Sequence, residues 1–213
     1  MREKEDIDIN QKNEKTINIM FYCAMAFFFF WGISEYFNKN YDLIADRFYI
    51  VGVLVIFYYS YKIWYMDMVS VLVGLVPLLL HSWGKFGSRL FGIPFDHYLH
   101  FSAGFALALI AHKYIYTITK RKISEKSQKS RIITQAGILL IVLCVVAGIG
   151  SFLEVAEFYG ADYLGEGRGV WLYGAGDFGG WENSVKDMIM NTLGAFFGSI
   201  FAIFRIKTRT KTI

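Results

Sequence analysis

The stretch FDHYLHFSAGFALALIAHKYIY, residues 95–116, decides how the whole chain is read. Its 22 residues carry no charge between Phe101 and Ala111. Wound as an α-helix they reach about 33 Å, the thickness of a bilayer's hydrocarbon core. Yet Asp96, His97 and His100 stand at its threshold. Ionisable groups cost at least about 2.5 kcal/mol each near the bilayer centre and less near an interface, so they normally face a bundle interior or a wet cavity.

The rest of the chain repeats this pattern. Of 213 residues, 55% are hydrophobic and only two are proline, which is too apolar for a soluble domain of this size. Apolar runs of spanning length fall at about 17–37, 48–65, 67–83, 96–116, 132–157 and 185–204. The expected fold is therefore all-α, a polytopic membrane bundle of about six transmembrane helices. Residues 1–16 read as a charged tail, 17–205 as a single six-helix domain and 206–213 as a second, basic tail. Cys23 and Cys144 lie inside apolar runs and suggest neither a disulfide framework nor a metal motif.

Charge sets the expected orientation. Threading six helices puts 16 Lys and Arg on one side and 6 on the other. The rich side is expected in the cytoplasm, with both termini and the loop around Lys120 to Arg131, in a cytoplasmic (inner) membrane. The net charge of +4 reports topology, and no nucleic-acid partner is implied. In this threading every ionisable group near the hydrocarbon, apart from terminal bases and His112, falls in the outer leaflet: Glu35, His81, Asp96, His97, His100, Glu154, Glu157 and Asp187.

Helical spacing gathers these groups into stripes. Asp96, His100 and Gly104 follow one another at intervals of four, so carboxylate and imidazole share a face beside a residue that admits a close neighbour. Glu154 and Glu157 are three apart. Asp187, Asn191, Gly194 and Gly198 form a third stripe, polar at one end and small toward the other. His97, about 100° round the helix from Asp96, is expected to be an interfacial bystander. His81 is a candidate fourth wall. The segment GADYLGEGRGVWLYGAGDFGGWEN, residues 160–183, holds eight glycines along with Trp171, Tyr173 and Trp181, as a lid or a plain exposed hairpin would. Two readings of the stripes stay open: helix packing alone, or convergence on a ligand, with a divalent cation suited to the oxygen and imidazole donors.

The blocks FDHYLHFSAG, SFLEVAEF and GDFGGWENSVKDMIMNTLGA resemble the polar signatures of the DUF2238 (YjdF-like) membrane proteins, which are similar to VanZ-like proteins. The resemblance covers roughly residues 65–204 and maps onto Asp96 and His100, onto Glu154 and Glu157, and onto Asp177, Asp187, Asn191 and Gly194. The chain departs from those patterns at His97 and at Gly180, Trp181 and Glu182. The VanZ likeness implies a role in glycopeptide-antibiotic tolerance at the cell envelope, without implying a reaction.

The expected function is an envelope protein whose outward-facing acidic pocket binds a lipid or cell-wall precursor headgroup. His81, Asn191, Arg168 and Asp177 would contact the ligand, and Glu154, Glu157 and Asp187 would hold a cation. Were the pocket catalytic, it would be a hydrolase or transferase on a lipid-linked substrate, with His100 as acid or base oriented by Asp96. A small ion-coupled transporter and a structural membrane subunit are the rival classes. The one-leaflet clustering and the lack of an inverted repeat weigh against the transporter.

Overall fold

The computed structural model describes residues 2–83, 88–124, 128–164 and 180–210, which form six helices and one short hairpin. The helices are α1 (Arg2–Phe37), α2 (Tyr41–Ser60), α3 (Met68–Trp83), α4 (Phe95–Ser124), α5 (Gln128–Leu164) and α6 (Gly180–Thr210). Strands β1 (Arg89–Leu90) and β2 (Ile93–Pro94) pair antiparallel between α3 and α4. The all-α membrane bundle expected from composition is the observed architecture, with α1 extended through the charged segment to Arg2. Among the described residues, four helices are long and apolar enough to cross a membrane: Asn13–Phe37, Phe95–Thr119, Ile132–Glu157 and Glu182–Ile206. The remaining two, α2 and α3, complete the bundle; α2 carries Asp46 and Arg47 in its first two turns, and α3 has only 16 residues.

Local chemistry ends each early helix. Lys39 adopts φ 59° after α1, and the Asn40 N–H reaches back to the Glu35 carbonyl at 2.9 Å, the bonding pattern of a Schellman cap. Tyr65 repeats this after α2, with φ 51° and Met66 N–H bonded to the Tyr61 carbonyl. Asp67 then caps α3, accepting from the Ser70 N–H at 3.0 Å. The hairpin turns on Phe91 and Gly92, both at positive φ, as a two-residue type I′ turn requires. No hairpin was foreseen from the sequence, because its strands are only two residues long.

Parallel helices α4 and α6 make the tightest pairing, and glycine is the reason. A Cβ on Gly104 would overlap the Asn191 carbonyl oxygen, one on Gly194 the Phe101 carbonyl oxygen, and one on Gly198 the Phe105 carbonyl oxygen. Inside a bilayer, where lipid is as apolar as leucine, such backbone approach replaces the hydrophobic effect as the drive for association. Around this pair, α5 contributes Ile138, Val142 and Val146 to one buried cluster. A second cluster joins α1, α2 and α3 through Phe21, Phe28, Leu54 and Val71, with Ile110 of α4 inserted. The outer surface is apolar, with Phe30, Leu140, Phe152 and Phe204 all more than half exposed, as suits a lipid-facing wall.

The ends of the bundle differ in chemistry. Asp67 meets Lys113 Nζ at 2.9 Å and Arg205 Nη2 at 3.1 Å, which ties α3, α4 and α6 together at one end. Burial alone would raise the Asp67 pKa, but Lys113, the Ser70 N–H and Arg205 together hold its carboxyl well below the usual range. His112, buried on α4 next to Lys113, belongs to this end too; His81, His97, His100, Asp96, Glu154 and Asp187 collect at the opposite one.

Candidate functional site

Three helices deliver the polar groups of that opposite end. The first turns of α4 bring Asp96, His97 and His100, the last turns of α5 bring Glu154 and Glu157, and the first turns of α6 bring Asn183, Asp187 and Asn191. Because α4 and α6 run parallel and are drawn together by their glycines, their polar first turns lie at the same depth. Antiparallel α5 ends at that level.

His100 stands at the centre. Its Nε2 lies 3.6 Å from Asp96 Oδ1, 3.7 Å from Glu154 Oε1 and 3.8 Å from Asp187 Oδ1. Two donors on one tetrahedral ion with bonds near 2.05 Å would sit roughly 3.4 Å apart, so these separations approach those of a first coordination sphere. Donor atoms of Asp96, His100 and Asp187 all fall within 4.8 Å of one another. Glu154 Oε1 is buried, and no hydrogen-bond partner for it exists among the described residues. A buried carboxylate oxygen left in that state is costly, and a cation among these groups would satisfy it.

The supporting contacts hold the central groups in place. Asn191 Nδ2 lies 3.1 Å from His100 Nδ1, and Gly150 makes room for that amide, since a Cβ there would come within 2.7 Å of it. With the amide turned one way, its N–H donates to Nδ1 and the imidazole carries its proton on Nε2. Turned the other way, its oxygen accepts from Nδ1–H and leaves the Nε2 lone pair free to ligate. Asp187 is fixed twice, by His97 Nδ1 at 3.0 Å from Oδ1 and by an Asn183 N–H donated to Oδ2 at 2.6 Å. Asn183 also reaches Asp96 Oδ2 at 3.4 Å.

His97 is thus not the bystander its angle suggested. It is buried and points at Asp187, because α6 wraps around the side of α4 that bears both imidazoles. Asn183 was likewise missed; its spacing of four from Asp187 was the available signal. Glu157, expected beside Glu154 as a ligand, lies near enough to Glu154, Asp96 and Asp187 to interact with them electrostatically, and it also lines an adjoining cavity, together with His81 and Asn191. Arg168 and Asp177, with most of the glycine-rich segment, lie outside the described residues.

That cavity measures about 170 Å³ and lies among α2, α3, α4 and α5, with Asn191 of α6 at its edge. His81, His100, Glu157 and Asn191 line it at one end; Ile50, Leu78, Leu107 and Val146 are among its apolar walls.

A second polar knot adjoins it. Glu35, placed by sequence at the end of α1, accepts from Trp31 Nε1 at 2.8 Å and from Asn40 Nδ2 at 2.7 Å, with Arg47 Nη2 3.7 Å away. Arg47, only 2% exposed, also meets Asp46 at 3.3 Å and stacks over the Trp31 ring, 4.4 Å from its centroid. Asp46 in turn meets His81 Nε2 at 2.8 Å. With α2 expected to begin near residue 48, Arg47 counted as a loop base; the helix begins at Tyr41 and buries it.

Comparison with known families gives one match. The family model described as "Predicted membrane protein (DUF2238)" covers residues 16–208, more of the chain than the three sequence blocks. No curated protein and no solved structure matches the chain.

Proposed function

The chain belongs to the DUF2238 family of predicted membrane proteins, and from that premise we propose that it binds the headgroup of a lipid or cell-wall precursor through a divalent cation, in a pocket facing outward from the cytoplasmic membrane. The observation that carries this reading is the set of three carboxylates, Asp96, Glu154 and Asp187, around one imidazole nitrogen, with Glu154 Oε1 buried and without a hydrogen-bond partner among the described residues.

Such a site repels a bare phosphate. With a divalent ion bound, it offers a positive centre to which phosphate oxygens add as further ligands. Mixed carboxylate and imidazole donors favour Mn²⁺ or Zn²⁺ over Ca²⁺. In this assignment Asp96, His100, Glu154 and Asp187 hold the ion, while Asn191, His97 and Asn183 orient them. The excess of Lys and Arg, 16 against 6, supports placing the acidic end outside.

Metal analysis of the purified protein tests the reading. About one Mn²⁺ or Zn²⁺ per chain is expected, with a chelator lowering the unfolding temperature of the wild type but leaving Asp187→Asn unaffected. A protein that takes up neither ion at micromolar concentration, and whose stability ignores the chelator, would sink it.

A further inference from the structure

We infer that the cavity beside His100 receives one hydrocarbon chain of a phosphorylated bilayer lipid, which enters sideways between α2 and α5. This rests on the headgroup reading above and adds where the rest of the ligand goes.

The position of the cavity comes first. His100 of the donor cluster and Asn191, which holds it, both line the cavity, so a molecule held at the cluster has the cavity directly beneath its head. From His100 to Leu107 the wall descends seven residues of α4, about 10 Å along the helix. Apart from His81, His100, Glu157 and Asn191, and from Tyr49 on the α2 side of the opening, the lining is apolar, with Ile50, Leu78, Leu107 and Val146. A sugar, a peptide or a hydrated ion would find no hydrogen-bond partner there, whereas a hydrocarbon would lose nothing.

Access is lateral. Both α2 and α5 line the cavity, yet among the described residues they are not one of the closely packed helix pairs. Tyr49 on α2 and Ile149 and Leu153 on α5 face the cavity while remaining 50%, 41% and 38% exposed. Their outer surfaces belong to the lipid-facing wall, so the opening between them leads into the bilayer. Sequence helps to keep the space open: Pro77 of α3 lines it and cannot donate the N–H that would continue the helix ladder, and Ala103 of α4 is small.

Size limits the occupant. An apolar cavity of about 150 Å³ holds one benzene-sized molecule. At about 170 Å³ this one takes a segment of a single chain, and any second chain stays in the bilayer.

Dodecyl phosphate carrying a photoreactive diazirine near mid-chain tests the inference on the full-length protein in detergent with Mn²⁺. Labelling is expected on peptides containing Ile50, Leu107 or Val146. Filling the cavity floor with Leu107→Trp should weaken dodecyl phosphate binding by at least tenfold and leave the Mn²⁺ affinity within twofold. Glycerol 3-phosphate, which has the head without the chain, should bind at least tenfold more weakly than dodecyl phosphate.

Labels confined to the lipid-facing surface, or equal affinity for the two phosphates, would overturn the chain site while Mn²⁺ binding left the headgroup reading intact. Cavity labelling without any Mn²⁺ uptake would do the reverse. Should Leu107→Trp fail to fold, the labelling map of the unaltered protein decides alone.

Discussion

His100 is the residue on which the site turns, because three acidic side chains from three helices approach one of its nitrogens while Asn191 governs the other. Under the proposed assignment His100→Ala abolishes Mn²⁺ binding. Asn191→Ala weakens it about 10–100-fold, the usual cost of losing a group that orients a ligand. Isothermal titration checks both, and an Asn191→Ala protein with unchanged affinity would mean that the amide only packs. Arg47 makes a separate test of stability. Replacing it with Met removes the guanidinium that the buried Glu35 and Asp46 share, at an expected cost of about 3–5 kcal/mol. Denaturant unfolding in detergent measures that loss, and a change below about 1 kcal/mol would contradict it. The intervals Asp96–His100 and Asp187–Asn191 were legible because each is local to one helix. The roles of His97 and Arg47 were not, since His97 acquires its partner 90 residues away and Arg47 is buried by where α2 begins.

Helix packing rests on a few small residues and caps. Gly194 touches the backbone of α4, so Gly194→Ala must push α4 and α6 apart, at an expected cost of about 1–3 kcal/mol. Ala at Gly137, inside α5 with nothing within 4 Å, serves as the control and should leave the unfolding temperature unchanged or slightly raised, since alanine favours a helix over glycine. At the other end, Asp67 caps α3 and pairs with α4 and α6 through Lys113 and Arg205. Its folded pKa lies below the ordinary value near 3.9. The stability it lends is therefore fully present above about pH 4 and is lost as pH falls through the depressed folded value. Asp67→Asn should lower stability at pH 7 by about 1.5–3 kcal/mol and show a shallower acid decline than wild type in thermal scans from pH 7 to pH 3. An identical acid decline in both proteins would assign it to other carboxylates. Glycine stripes announced the α4 and α6 contact in the sequence, whereas the Asp67 junction joins residues as far apart as 138 positions and left no local sign.

Across the whole molecule, polarity separates the two ends, and the basic end of α4 and start of α5 belong to the end opposite His100. With the orientation proposed, single cysteines placed near Lys122 react with a membrane-impermeant maleimide only after the cells are opened, whereas a cysteine at Phe91 reacts in intact cells. The reverse pattern would turn the site toward the cytoplasm. Hydropathy and the helical period by themselves determined a membrane bundle of helices, and determined that Asp96 and His100, and Asp187 and Asn191, would each share one face of a helix. Those are properties of a single segment in lipid, where every backbone group must be bonded within its own helix. Only the tertiary structure decided which faces meet: that His97 and His100 both turn to α6, that Glu154 approaches His100 while Glu157 borders the cavity, and that Arg47 joins α1 to α2. These depend on the rotation and depth of each helix against its neighbours, set by close backbone contact at Gly104, Gly194 and Gly198 and by side chains distant in sequence.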